Sequence, residues 1–154
     1  MVIIGIDPGV ATTGYGLIKA EKNKVELIDY GCITTQANTD HPARLEKIAL
    51  ELEKIIKTYQ PTKAAVEELF FSNNVKTALK VGEARGVILM TLIKNKVPVL
   101  EFTPLQVKQA ITSYGRADKK QMQSMVKIIL NLKEIPKPDD AADALAVAIT
   151  CSNL

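Results

Sequence analysis

Three acidic sites interrupt an otherwise apolar pattern in this 154-residue chain. Asp7 ends the run Val2-Ile3-Ile4-Gly5-Ile6, the pair Glu67-Glu68 ends Ala64-Ala65-Val66, and Asp139, Asp140 and Asp143 open the alanine-rich C-terminal segment. Each has an ordinary explanation when taken alone. An Asp before Pro8-Gly9 is commonly a turn residue, a Glu pair at a strand end is usually solvated, and Asp at a helix start caps the helix or suits its macrodipole. The combination points elsewhere. Asp140 and Asp143 stand three residues apart, so one helix face carries both. Carboxylates about 5 Å apart repel by roughly 3 kcal/mol per pair at an effective dielectric near 20, and a cluster of four is strongly unfavourable without cations. Hard oxygen donors with few nitrogens or sulfurs suit Mg²⁺ or Mn²⁺ rather than zinc. Two such ions about 3.5–4 Å apart clamp a scissile phosphate for in-line displacement.

Other chemistries fit the residues less well. The only histidine, His41, precedes Pro42 at an expected helix start and reads as a cap-region or surface residue, yet a Ser-His-Asp arrangement would have to use it. Gly-x-Ser-x-Gly, P-loop and dinucleotide fingerprints are absent. Cys32 and Cys151 are too few for a disulfide framework and belong to no Cys-x-x-Cys motif, so reduced thiols and a cytoplasmic protein are expected. The apolar N-terminus lacks a basic leader and breaks at Asp7, and no later apolar run approaches the ~18 residues a membrane helix needs.

The net charge of +3 is modest by itself, but its distribution is uneven. Lys94 to Lys137 carries nine Lys and Arg against three acids, a net +6, and leaves the remainder acidic. This segment is either a solvated face or a surface that tracks phosphates.

The elements that must hold the acids follow from pattern. The β-branched run Val2 to Ile6 suits a central strand buried on both faces. Antiparallel returns are expected at about Gly14 to Lys19 and Val25 to Thr34, joined by Lys22-Asn23. From Pro42, Leu45, Ile48, Ala49, Leu52, Ile55 and Ile56 recur at helical spacing, ended by Pro61. Lys63 to Val66 reads as a strand, after which Asn73 or Asn74 caps a helix to about Lys94. Val97 to Phe102 reads as a further strand. Pro104 opens a helix with Val107, Ala110 and Ile111 on one side; a helix from Lys119 to Leu130 faces inward through Met122, Met125, Val126 and Ile129; a last helix starts after Pro136-Lys137-Pro138. The expected fold is a single α/β domain over residues 1–154, a mixed sheet sandwiched by helices, in which the first and fourth strands are neighbours. Gly82 and Gly86 share one face of the long helix with Val75, Leu79, Leu89 and Ile93. Each glycine costs roughly 1 kcal/mol against alanine, so a close backbone approach is expected, from the sheet or from a second subunit.

Gly5-Ile6-Asp7-Pro8-Gly9, Thr13-Gly14-Tyr15-Gly16, Ala65-Val66-Glu67, Val107-Lys108-Gln109 and Asp140-Ala141-Ala142-Asp143-Ala144-Leu145-Ala146 together resemble the signature segments of the RuvC family of Holliday junction resolvases, in order and at similar spacing. The resemblance implies a ribonuclease H-like mixed five-stranded sheet, a homodimer, and paired Mg²⁺-dependent nicking of four-way junction DNA, with Mn²⁺ as a substitute and two ions per subunit. It implies that Asp7, Glu67, Asp140 and Asp143 bind the metal and catalyse, choosing Glu67 over Glu68 and Asp140 over Asp139. It implies that Lys108 and Lys119 hold DNA near the active site, and that Phe70, next to Phe71-Ser72-Asn73-Asn74 at an expected loop tip, stacks on exposed bases. A RuvA–RuvB branch-migration complex is a partner of the kind this implies. The chain stops at Cys151-Ser152-Asn153-Leu154 without the longer basic tail of some relatives.

Gly5-Ile6-Asp7-Pro8-Gly9 through Gly14 is also how a phosphate-binding hairpin of the actin-like or sugar-kinase type can look, but that fold closes two domains over a nucleotide and the chain is too short for both. A catalytically silent nucleic-acid-binding relative would have lost at least one of the four acids, and all four are present.

Overall fold

In the computed structural model, which describes residues 1–22, 24–70 and 74–154, the N-terminal β-branched run is strand β1, Val2–Asp7, with Ile3, Ile4 and Ile6 wholly buried. Strands β2 (Thr12–Glu21) and β3 (Lys24–Thr34) fold back antiparallel, and helix α1 (His41–Tyr59) then crosses to strand β4 (Lys63–Glu67). Helix α2 (Val75–Lys94) leads to strand β5 (Val99–Phe102), followed by helices α3 (Pro104–Thr112), α4 (Lys119–Ile129) and α5 (Asp139–Ser152). The sheet order is β3-β2-β1-β4-β5, with β4 parallel to both β1 and β5, as two crossover connections require. Asn23 of the expected turn, and Phe71, Ser72 and Asn73 of the expected loop tip and cap, lie outside the described residues.

Alternation along the strands divides the core between the two faces of the sheet. Ile4, Ile6, Leu17 and Val66 pack against Ile48 and Leu52 of α1 and Ile88 and Leu92 of α2. Ile3, Ile18 and Ala65 pack against Val107 and Ile111 of α3, Met122 and Val126 of α4, and α5. Among the described residues no helix is long and apolar enough to cross a membrane.

Local chemistry sets the boundaries. Asn74 caps α2, accepting from the Thr77 backbone N–H at 3.2 Å. Reciprocal capping boxes, Thr103 with Gln106 and Asp118 with Gln121, fix the starts of α3 and α4, so that Lys119 is the first residue of its helix. The fifth strand begins two residues later than expected. Lys96 adopts a left-handed conformation, the Val97 N–H closes α2 onto the Leu92 carbonyl at 3.0 Å, and Pro98, with no N–H to donate, joins β4 only through its carbonyl, which accepts from the Ala64 N–H at 2.8 Å. Ala110, expected on the inner side of α3, is exposed, because so short a helix turns only Val107 and Ile111 inward. His41 heads α1 and is paired with α2, its Nε2 2.6 Å from the Glu83 carboxylate.

The sheet carries α5 unusually closely. A Cβ on Gly5 would lie 2.1 Å from the Ala144 carbonyl oxygen, and one on Gly14 would lie 2.0 Å from that of Asp140. Only glycine lets the helix backbone rest on the strands there. The alanines at 141, 144 and 148 complete this contact from the helix side, all fully buried.

Candidate active site

Parallel pairing brings the first two acids together. Ile6 is in register with Val66, so Asp7 and Glu67 emerge side by side at the carboxyl ends of β1 and β4, the edge where open α/β sheets bind ligands. Gly14 pairs with Asp7 across β2 and also touches the Asp140 backbone, which sets the first turn of α5 over the same edge. Asp143 follows one turn later on the inward side. The four acids named by the family resemblance lie at one edge of the sheet, near enough for Glu67, Asp143 and Asp140 to act on the charge of Asp7.

Their electrostatics show how crowded that place is. Burial pushes Asp7 up from an ordinary value near 3.8 to about 8, reinforced by the charges of Glu67, Asp143 and Asp140 and by a hydrogen bond to Glu67. Burial and the charge of Asp143 likewise raise Glu67 to about 6. Asp143 is raised by burial, with Lys119 pulling the other way and Asp140 adding to the rise. Both shifts run upward for the same reason, like charges held close together in a partly buried place.

The four carboxylates suit a hard divalent ion, and the neighbouring Cys32 thiol is pushed up by burial and by the charges of Asp140 and Asp7, away from the thiolate a softer metal would take. Among the described residues no three His, Cys, Asp or Glu side chains converge closely enough to make a finished metal cage. The acids come from three separate elements, β1, β4 and α5, and raise one another's affinity for protons.

The basic residues divide around this centre. Lys108 and Lys119 line a cavity of about 270 Å³ together with Glu67 and Asp143. Lys119 is already engaged, its Nζ 3.0 Å from Asp139 and 3.9 Å from Asp143. Asp139 also accepts from Gln123 at 3.0 Å, and these two donors hold its carboxyl below the usual range. Asp139 is therefore a solvent-side partner of Lys119, distinct from Asp140. Glu68 extends the sheet, its N–H donating to the Phe102 carbonyl at 2.8 Å, and it is Glu67 that bonds to Asp7. Phe70 borders a second hollow beside Asp7 and Glu67 and is 68% exposed, too open for a core residue.

Arg85 escaped notice in the sequence. Its Nε–H donates to the Glu67 main-chain carbonyl at 3.2 Å and its guanidinium pairs with Glu101, tying the end of β4 to α2 and β5. The available signal was position: Arg85 stands seven residues from both Ala78 and Leu92, on the buried face of its helix, where a charge persists only if paired.

The chain is similar to known proteins along nearly its whole length. The family model described as "Crossover junction endodeoxyribonuclease RuvC" matches residues 3–151. A crossover junction endodeoxyribonuclease RuvC of Heliobacterium modesticaldum is 56% identical over 153 residues, covering 99% of this chain and 94% of its relative. The Thermus thermophilus RuvC structure superposes with a TM-score of 0.90 at 37% identity, and the structure of T. thermophilus RuvC in complex with Holliday junction substrate with a TM-score of 0.92; each comparison covers 97% of this chain and 92% of the other. With matches of that length and identity, set on a ribonuclease H-like sheet whose edge gathers four acids, the chain belongs to the RuvC family of metal-dependent crossover junction endodeoxyribonucleases.

Proposed function

We propose that the chain, working as a single domain and as one half of a homodimer, resolves Holliday junctions by symmetric nicking of two opposed strands, with Asp7, Glu67, Asp140 and Asp143 holding two Mg²⁺ ions, replaceable by Mn²⁺. The observation that carries this reading is geometric: strand register sets Asp7 beside Glu67 at one sheet edge, and the close seat of α5 on Gly5 and Gly14 brings Asp140 and Asp143 to that edge. When bound, the ions supply an activated water and stabilise the leaving oxyanion. The protein's own part is positional. Adjacent parallel strands and a helix resting on glycines keep the carboxylates from moving apart, so the site is organised before substrate arrives.

Lys108, which has no ion pair among the described residues, offers its ammonium to a backbone phosphate entering the cleft. Lys119 can do so by releasing Asp139, an exposed partner worth little in water. The open ring of Phe70 suits stacking on a base unpaired at the crossover. Homodimerisation is supported by the outer face of α2, where Val75, Leu79, Met90 and Ile93 are all more than half exposed and Gly86 has no atom within 4 Å of where its Cβ would be. A RuvA–RuvB complex presenting the junction, and action on DNA in the cytoplasm, complete the reading.

The test is incubation of a labelled, mobile four-way junction with the purified protein and Mg²⁺. Two symmetric nicks yielding ligatable duplexes are expected. A single random nick, or equal cutting of linear duplex, overturns the junction-resolving assignment.

A further inference from the structure

A strand cut at the carboxylate centre must extend to both sides of the scissile phosphate, carrying a charge about every 3.4 Å of helix axis. Lys108 and Lys119 serve one side only, that of α3 and α4. On the other side Asp140 is the shared wall of a second groove of about 420 Å³, floored by the backbone of Gly9 to Thr12 after β1 and flanked by Arg44 of α1 and Lys80 of α2.

Arg44 is held in an uncommon way. Its Nε–H donates to the Thr35 hydroxyl at 2.8 Å, and that nearly buried hydroxyl donates in turn to the Val10 carbonyl at 2.5 Å. The guanidinium is oriented through a neutral anchor on one edge, and it forms no ion pair among the described residues. Its two terminal amino groups keep their N–H donors, the fork that matches two phosphate oxygens. Lys80 also lacks an ion pair among the described residues. Glu83, three residues along α2 from Lys80, is engaged by His41 instead. A preoriented arginine and a second cation, left uncompensated beside an anionic catalytic centre, match a ligand that is itself a row of anions.

We propose that the groove between the Gly9–Thr12 turn, α1 and α2 is a second phosphate-binding subsite, in which Arg44, bracketed by Thr35, grips the DNA backbone on the side of the cut opposite Lys108, with Lys80 beside it. The proposal rests on the carboxylate centre being the site of DNA cleavage. Arg44 and Lys80 position the strand and take no part in bond breaking.

The test measures binding of a four-way junction without divalent ions across a series of KCl concentrations, for the parent protein and for Arg44→Gln, Lys80→Gln and Lys108→Gln, with thermal melting of each. Removing one cation that neutralises a phosphate lowers the slope of log K against log salt by about 0.9. Arg44→Gln and Lys80→Gln are each expected to weaken binding severalfold and to lower the slope by about one, with Tm unchanged. In a second arm, neutral methylphosphonates replace phosphates on either side of the cut. A neutral linkage on the far side should weaken the parent and leave Arg44→Gln indifferent. Unchanged slopes for Arg44→Gln and Lys80→Gln beside a reduced one for Lys108→Gln overturn this subsite and leave the nuclease reading intact. Unchanged slopes for all three count against both. If Arg44→Gln melts early, Lys80→Gln, which leaves the Thr35 chain untouched, decides: an unchanged slope there reduces Arg44 to a tie between α1 and β3.

Discussion

Glycines occur in two regions of this molecule where a helix backbone is laid bare, beneath α5 and along α2. At Gly5 and Gly14 the space a side chain would take is filled by the Ala144 and Asp140 carbonyls of α5. At Gly86 it is empty, and at Gly82 the nearest atom is a Leu69 methyl at an ordinary 3.6 Å. The first region uses its close approach inside the chain, and what that contact fixes is the height of Asp140 and Asp143 above Asp7 and Glu67. The second keeps its smooth surface outward, framed by exposed Val75, Leu79, Met90 and Ile93. Of the two partners expected for the α2 glycines, the sheet of the same chain is therefore not against Gly86. One helix organises chemistry, while the other is left with a face suited to a second copy.

The sharpest way to break the α5 side is through the centre it organises. Asp7→Asn is expected to lower Mg²⁺-dependent junction cleavage by at least about a thousandfold, as loss of a group on which the transition state depends does, while gel-shift affinity stays near that of the parent. Retained cleavage would remove Asp7 from the metal site. Next in size, Gly5→Ala forces a methyl onto the Ala144 carbonyl and should cost about 3 kcal/mol in urea unfolding, with cleavage falling in parallel. On the α2 side, Leu79→Glu places a charge on the exposed stripe. It should leave the melting of the isolated subunit within about 0.5 kcal/mol and convert a dimer to monomer in sedimentation, abolishing paired nicks while single nicks persist.

A pH dependence separates the regions further. Asp7 and Glu67 hold protons in the folded metal-free protein up to about 8 and about 6, whereas the unfolded chain releases them near 3.8 and 4.5. Across that window the folded state binds more protons, so its stability declines as pH rises from about 4 to about 8 and then levels. Melting in EDTA should show this decline. Asp7→Asn should flatten it and raise Tm at pH 8, whereas substitutions on α2 should leave its slope alone; an identical slope in Asp7→Asn would mean that Asp7 is not raised by the fold. The smallest effect is expected at Gly86→Ala. No atom opposes the added methyl within the chain, so helix propensity favours it by up to about 1 kcal/mol, and only self-association should weaken.

The strands, the helix faces and the acids at element ends were legible because each rests on local pattern. Ile3, Ile4 and Ile6 announce a strand buried on both sides, and Ile48, Leu52 and Ile56 keep helical spacing. Where the sequence reading missed, a residue was spent either on closing a helix or on a partner far along the chain. Val97 looks like a strand residue until its N–H is needed to close α2. Arg85 looks like surface charge until the Glu67 carbonyl appears beside it, and Arg44 until Thr35 does.

The local order of residues by itself determined which elements form and that acids sit at their ends, because β-branching, helical period, prolines and caps act over a few residues. It left Glu67 level with Glu68, Asp140 level with Asp139, and the α2 glycines without an assigned neighbour, and only the likeness to a family chose between the acids. The tertiary structure decided that Asp7 stands beside Glu67, that Asp139 is occupied by Lys119, and that Gly86 faces outward. Those outcomes depend on strand register and on how near α5 can lie to the sheet, distances set by residues far apart in the chain. The shift of Asp7 to about 8 is the clearest case: no property of Asp-Pro-Gly contains it, since it comes from burial and from three carboxylates that only the fold brings near.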